Sequence, residues 1–319
     1  MRTRLAAVAV LGAALVGVLA PAPAFAAQQG KPTGPTSTTT TATATGSDIS
    51  WAQCGSKLPS RQAFGIVDVN GGTAASFNPC LPEEITWAQS TTHATPQPPL
   101  AFYVNTANPY DQGSWWPKSD SDRPPFGAAP YPTGALPVAT VTYPAGSQSA
   151  ATGATVGCTT TDGTSAGAPM YNSKCAYVYG YVRAEQAVEW AREQGIDPSG
   201  YRWWLDVETV NTWQTDTASN AASLAGAAAY LKSAGLGVGA YSTTTQWTDI
   251  VGGTGANIPA LPNGSVSNLV GLDEWGAGAS SQKGAVANCT AAKPFTGGTN
   301  RLMQYVSGST DYDVSCAGY

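Results

Sequence analysis

Charge is scarce in this chain. Only 11% of its 319 residues are Asp, Glu, Lys or Arg, against roughly 25% in an average soluble protein. The fifteen Lys and Arg are scattered, and the formal net charge is −5. A nucleic-acid binder needs a concentrated basic footprint for phosphates, so that class is excluded. Histidine is nearly absent, with His93 the one copy. A Ser-His-Asp hydrolase or a zinc hydrolase has almost nothing to work with. Beyond the N-terminus, no apolar run reaches the ~20 residues that a membrane-spanning helix needs.

What is present begins with an address. Arg2 and Arg4 precede the apolar run Leu5–Leu19, and Ala24-Phe25-Ala26 is a small-x-small cleavage site. Residues 1–26 therefore read as a secretory signal peptide. Residues 27–46 are a Ser/Thr/Pro-rich stretch with no period and nothing to bury, a disordered linker. The folded domain is expected over residues 47–319, close to the ~250 residues of one α/β barrel. Export leads to an oxidising compartment. A secreted or extracellular location follows, cell-wall association being compatible with it, with no membrane contact after signal cleavage.

The six cysteines are Cys54, Cys80, Cys158, Cys175, Cys289 and Cys316. An even count in an exported chain points to disulfides, and six allow fifteen connectivities. Pairing nearest neighbours is the simplest set, each bridge contributing ~3 kcal/mol in the chain-entropy model. None sits in a C-x-x-C spacing, so no metal site is expected.

Strands and helices alternate over the first two-thirds. Strands are expected at Ser47–Trp51, Phe64–Asn70, Leu100–Asn105, Arg202–Val207 and Gly237–Tyr241. Helices are expected at Pro82–Ser90, from Arg183 to Gly195, at Asn220–Ala234 and at Thr245–Val251. Residues 106–174 form a long Pro/Gly/Ser/Thr-rich insertion. The final third reads as strands with little helix: Leu269–Trp275, Arg301–Val306 and Asp311–Ser315. Such alternation implies parallel βαβ units.

The sharpest local feature is Trp203-Trp204-Leu205-Asp206-Val207-Glu208. Alternate residues of a strand share a face. Trp203, Leu205 and Val207 should pack under helices, while Trp204, Asp206 and Glu208 point the other way. Two carboxylates on one inward face raise each other's pKa, as a general acid near neutral pH requires. Glycoside hydrolysis needs a carboxyl pair and a groove, without histidine, metal or cofactor. The null alternative is a strand end with solvated acids. Trp115, Trp116, Trp213 and Trp275 are candidate sugar platforms, though any one Trp is more often core.

Several short motifs then carry a family resemblance. They are Asp48-Ile49-Ser50-Trp51-Ala52-Gln53, Asp206-Val207-Glu208, Gly239-Ala240-Tyr241-Ser242, and Gln304-Tyr305 followed by Asp311. The chain resembles a distant relative of the glycoside hydrolase family 25 lysozymes, of secreted bacterial type. The resemblance implies an α/β fold, a modified TIM-type β/α barrel with a strand-rich last third, here stapled by disulfides. It implies cleavage of the β-1,4 bond after N-acetylmuramic acid. Glu208 would then be the proton donor, and Asp206 would stabilise positive charge or orient the acetamido group. Asp48 and Asp311 would complete an acidic floor; Asp313 shares a face with Asp311. Asn70, Asn105, Tyr241, Trp275 and Gln304 are the candidate substrate-binding residues.

Gly163-Thr164-Ser165-Ala166-Gly167 matches a nucleophile elbow, but strand, helix and a partner histidine are missing around it. The expectation is a monomeric glycoside hydrolase-like protein, lysozyme-like, cleaving peptidoglycan or a related cell-wall glycan by carboxylate acid/base chemistry without a cofactor. The alternative is a non-catalytic glycan-binding or structural wall protein on the same scaffold.

Overall fold

The computed structural model describes residues 44–109, 140–142, 155–157, 173–262 and 264–317. The signal peptide, residues 27–43 of the linker, Cys158, Trp115, Trp116 and the Gly163–Gly167 motif lie outside the described residues. The elements in chain order are β1 (Thr45–Ile49), β2 (Gly65–Asp68), α1 (Leu81–Gln89), β3 (Leu100–Asn105) and the pair β4 (Thr140–Thr142) and β5 (Thr155–Gly157). Then come α2 (Ser173–Glu193), β6 (Arg202–Asp206), α3 (Thr217–Ser233), β7 (Gly237–Ser242) and α4 (Thr244–Val251). The last are β8 (Asp273–Ala279), α5 (Gln282–Ala291), β9 (Asn300–Ser307) and β10 (Thr310–Ser315).

Eight strands close into a barrel in the order β1-β10-β9-β8-β7-β6-β3-β2. Seven run parallel, and β10 is antiparallel to both of its neighbours, β9 and β1. The expected α/β barrel is therefore the fold. The strand β10 follows β9 through a hairpin whose turn holds Gly308 at φ 67°. That connection is too short for a crossover helix, which a parallel last strand would need.

Strand alternation sorts the core as expected. Trp203, Leu205 and Val207 pack with the helices outside the barrel. Trp204 packs inside with Phe64, Ile66, Tyr241, Trp275 and Leu302. Trp204 fits because its register partner on β7 is Gly239. A Cβ there would sit 2.2 Å from the Trp204 ring.

The outer layer is tightest where α2 crosses α3. A Cβ on Gly180 would lie 1.8 Å from the Ser223 carbonyl oxygen, and one on Gly226 would lie 1.9 Å from that of Tyr177. Two backbones this close explain why α3 is built from Ala, Ser and Gly.

The disulfides Cys54–Cys80 and Cys289–Cys316 are present, and Cys175 is disulfide-bonded as well. The first ties the 3-10 turn after β1 to the start of α1. The second ties α5 to the residue after β10. The first braces the β1–β2 connection, which has no crossover helix, and the second holds α5 against the open end of the β9–β10 hairpin.

Several boundaries differ from the sequence expectation. Strand β1 takes in Thr45 and Gly46 of the expected linker and ends at Ile49, because Trp51 belongs to the following 3-10 turn. Helix α2 starts at Ser173, ten residues before Arg183. Its first turns, Cys-Ala-Tyr-Val-Tyr-Gly, have strand-like composition, but tertiary burial holds them helical. Strand β8 starts at Asp273, because residues 269–272 form a turn that buries Leu269 and Leu272. Helix α5 was not expected: only Ala285 is buried along it, so it shows no apolar stripe. Ser281 caps it by accepting from the Gly284 N–H at 3.2 Å.

Candidate active site

A cleft of about 470 Å³ opens at the end of the barrel where the parallel strands finish. In α/β barrels that end carries the functional loops. Asp48 on β1, Asp206 at the end of β6, Glu208 just beyond it and Asp311 all line it. Asp311 reaches the same end because β10 runs the other way, which puts its first residues there. Asn105, Tyr241, Trp275 and Gln304 also line the cleft.

The opening motif has a local reason. Gln53 Oε1 accepts from the Ser50 N–H at 2.8 Å and from its hydroxyl at 3.2 Å. This closes the 3-10 turn that ends β1 and leaves Asp48 facing inward. Gln304 Nε2 donates to Asp48 Oδ2 at 3.0 Å, and the Tyr241 hydroxyl donates to Gln304 Oε1 at 2.8 Å. Thus the motif residues of β1, β7 and β9 form one chain of hydrogen bonds.

Asp206 is 3% exposed. Asn105 Nδ2 donates to its Oδ2 at 2.5 Å, while Oδ1 has no partner. Burial pushes Asp206 up to about 8, with Glu208 adding to it and Asn105 and Asn211 opposing. Burial raises Asp48 to about 7, with Asp311 adding to it and Gln304 opposing. Glu208 is raised by burial, against a hydrogen bond from Gln246, and Asp311 is raised by burial. Asp48 and Asp206 thus hold protons into the neutral range.

Asn70 does not reach the cleft. Its side chain donates to Ser76 O at 3.0 Å and accepts from the Asn105 N–H at 2.8 Å, so it supports Asn105 from behind. Trp275 is 2% exposed, and its Nε1 donates to Asp313 Oδ1 at 2.7 Å. It is floor rather than an open platform. Trp213 is turned to structure: its Nε1 donates to Glu208 O at 2.8 Å.

Sequence reasoning passed over Asp68, Tyr103 and Trp51, which also line the cleft. Asp68 was findable, since it alternates with inward Ile66 on β2 exactly as Asp206 does with Trp204 on β6. Asp313, noted only as sharing a face with Asp311, is fully buried beside Asp48 and raised well above the carboxylate range by burial and by that neighbour.

These buried acids set the direction of a pH effect. Between their ordinary value of 3.8 and their folded values of about 7 and 8, Asp48 and Asp206 bind more protons folded than unfolded. Stability is then fully present on the acid side and is lost as pH rises through the folded values. The melting temperature is expected to be higher at pH 5 than at pH 8 in calorimetry; a flat or rising profile over that window would contradict it.

Among the described residues, no helix is long and apolar enough to cross a membrane. No curated protein and no solved structure matches the chain. A family model described as "Lysozyme-like protein 1" matches residues 145–260. That stretch contains α2, β6, α3, β7 and α4, and with them Asp206, Glu208 and Tyr241. Over this part, which supplies the strand-end acid pair of the cleft, the chain is lysozyme-like.

Proposed function

We propose that the protein is an exported glycoside hydrolase that cleaves peptidoglycan or a related cell-wall glycan, related to the family 25 lysozymes. The observation that carries this reading is the joining of Asp206 and Glu208 with Asp48 and Asp311 in one cleft. The match to a lysozyme-like family over the segment bearing the first two supports it. Disulfides and the N-terminal segment support export.

Glu208 and Asp206 interact strongly enough to titrate as a pair. The working form holds one proton between them. Glu208, half-buried at the cleft wall, carries it and protonates the leaving glycosidic oxygen. Asp206, which burial favours in the protonated form at rest, is left with the charge as Glu208 takes the pair's proton; the donors of Asn105 and Asn211 favour that form, and the carboxylate stabilises the positive charge that develops on the sugar. Asp48 and Asp311 complete the acidic floor. Tyr241 and Gln304 fix Asp48 in place.

The test is release of reducing ends from purified insoluble peptidoglycan, with the products identified by mass. New reducing ends on muramic acid are expected, and Asp206→Asn is expected to lower their rate by about a hundredfold or more. Retention on peptidoglycan with no product from the wild-type protein would instead support the non-catalytic binding protein.

A further inference from the structure

We propose that the cleft chooses its glycan by charge, and that the corner formed by Asp68, Tyr103 and Trp51 is a subsite for a hexosamine unit bearing a free amino group. This rests on the glycan reading above and narrows it. Among the described residues, five acids line the cleft, Asp48, Asp68, Asp206, Glu208 and Asp311, and no Lys, Arg or His does. With a net charge of −5, the chain as a whole adds to that field. An ammonium entering the cleft can take the place of the protons that burial keeps on these acids and pair with the carboxylates so released, whereas an anionic sugar finds no counter-charge among the described lining residues.

A second observation is independent of the acid count. Asp206 Oδ1 is buried in this cleft with no hydrogen-bond partner, an acceptor left for a donor from outside. Asp68 is 1% exposed, and its Oδ1 is fixed by the Asn70 N–H at 2.9 Å. Beside it, Trp51 is 48% exposed. Its indole packs across Gly72, where a Cβ would come within 2.3 Å of Nε1. Gly72 also holds φ 84°, a conformation side chains rarely adopt. An exposed aromatic face next to this buried acid accommodates an ammonium-bearing ring through cation–π contact and, once the ammonium displaces the proton that burial favours on Asp68, an ionic contact. The Tyr103 hydroxyl stays protonated between them, raised well above its usual value by burial and by Asp68.

The rim agrees with a sugar. Of five large apolar side chains exposed among the described residues, Trp51, Val210 and Val306 line this cleft. Sugar faces are C–H surfaces with polar edges, which suits an apolar rim over an acidic floor. A metal ion is the other cation to weigh. Among the described residues, no three acids converge as a metal site would require.

The experiment titrates the protein carrying Glu208→Gln, which prevents turnover, with β-1,4-linked glucosamine oligomers of equal length at neutral pH. One set is fully N-acetylated, one is de-N-acetylated, and one carries free carboxylates. Binding is read by calorimetry at low and high salt. The de-N-acetylated set should bind about tenfold tighter than the acetylated one, the scale of one well-placed charge pair. That advantage should shrink at high salt, and the carboxylate set should bind weakest. Adding Asp68→Asn, which keeps the Oδ1 acceptor for Asn70, should bring the ratio of the first two toward one. Equal affinities for charged and neutral oligomers would overturn charge selection and leave the glycan reading standing. A ratio unchanged by Asp68→Asn would overturn the placement of the subsite. Should that variant not fold, the salt dependence decides alone. Failure to bind any oligomer would overturn this proposal together with the glycan reading.

Discussion

Replacing Glu208 by Gln is expected to lower the turnover of peptidoglycan by two to four orders of magnitude (about 10²–10⁴) while leaving retention on the insoluble substrate nearly intact. The amide has the size and hydrogen-bonding reach of the acid but cannot give up a proton. The wild-type pH profile should carry the same signature. Burial raises both groups, with the charge of Glu208 adding to Asp206 and that of Asp311 adding to Glu208. Activity should therefore persist through neutrality and fall above pH of about 8, where the pair loses its last proton. On the acid side it should fall when a second proton neutralises Asp206. Reducing-end assays across pH, with wild type and variant in parallel, read both effects. Equal rates from the two proteins would remove Glu208 from the chemistry. An optimum in the ordinary carboxylate range would show that the pair is not held in the environment described.

The second large effect concerns the fold. Gly226→Ala is expected to destabilise the protein by on the order of 3 kcal/mol, a fall of about 10 °C in melting temperature. The new methyl would sit 1.9 Å from a backbone oxygen of α2, and no side-chain rotation can relieve that. Gly180→Ala, whose methyl would face the Ser223 carbonyl at 1.8 Å, should behave alike. Gly284→Ala in α5 should do the opposite. Its nearest neighbour would be Ser281 Oγ at 3.4 Å, an ordinary contact. Removing a helical glycine there should gain about 0.5–1 kcal/mol. Urea or thermal unfolding of the three variants gives opposite signs if close helix contact, rather than helix propensity, governs the α2–α3 crossing.

Much of this was legible in the chain. The six residues Trp203 to Glu208 announce both faces of β6, because a strand buried on one side and acidic on the other can sit only at a barrel wall beneath helices. Motif residues on β1, β7 and β9 proved to be neighbours linked by hydrogen bonds, which spacing alone cannot show. Asp68 was hidden by its surroundings: Ile66, Val67 and Val69 make β2 read as uniformly buried, and one acid within it draws no notice unless alternation is applied. Asn70 illustrates the converse. Its position in sequence places it at a strand end, but its side chain turns into the following loop to hold Ser76. Helix α5 was illegible because its stability comes from caps and a disulfide rather than from an apolar stripe. The early start of α2 depended on α3, a partner more than forty residues further on, which no local pattern reports.

The antiparallel strand β10 has a consequence for how the chain reaches this state. It bonds to β1 on one side and β9 on the other, so the first and last strands of the barrel meet through it. Until residues 310–315 are in place, β1 and β9 are two open edges with unpaired N–H and C=O groups, templates for pairing with another chain. Closure is also the contact of longest sequence separation in the barrel, and such contacts form slowly. Truncation before β10 should therefore yield not a smaller barrel but a sticky sheet. Residues 310–315 thus act as the seal of the barrel, and the two edges stay open to other chains until that strand has arrived.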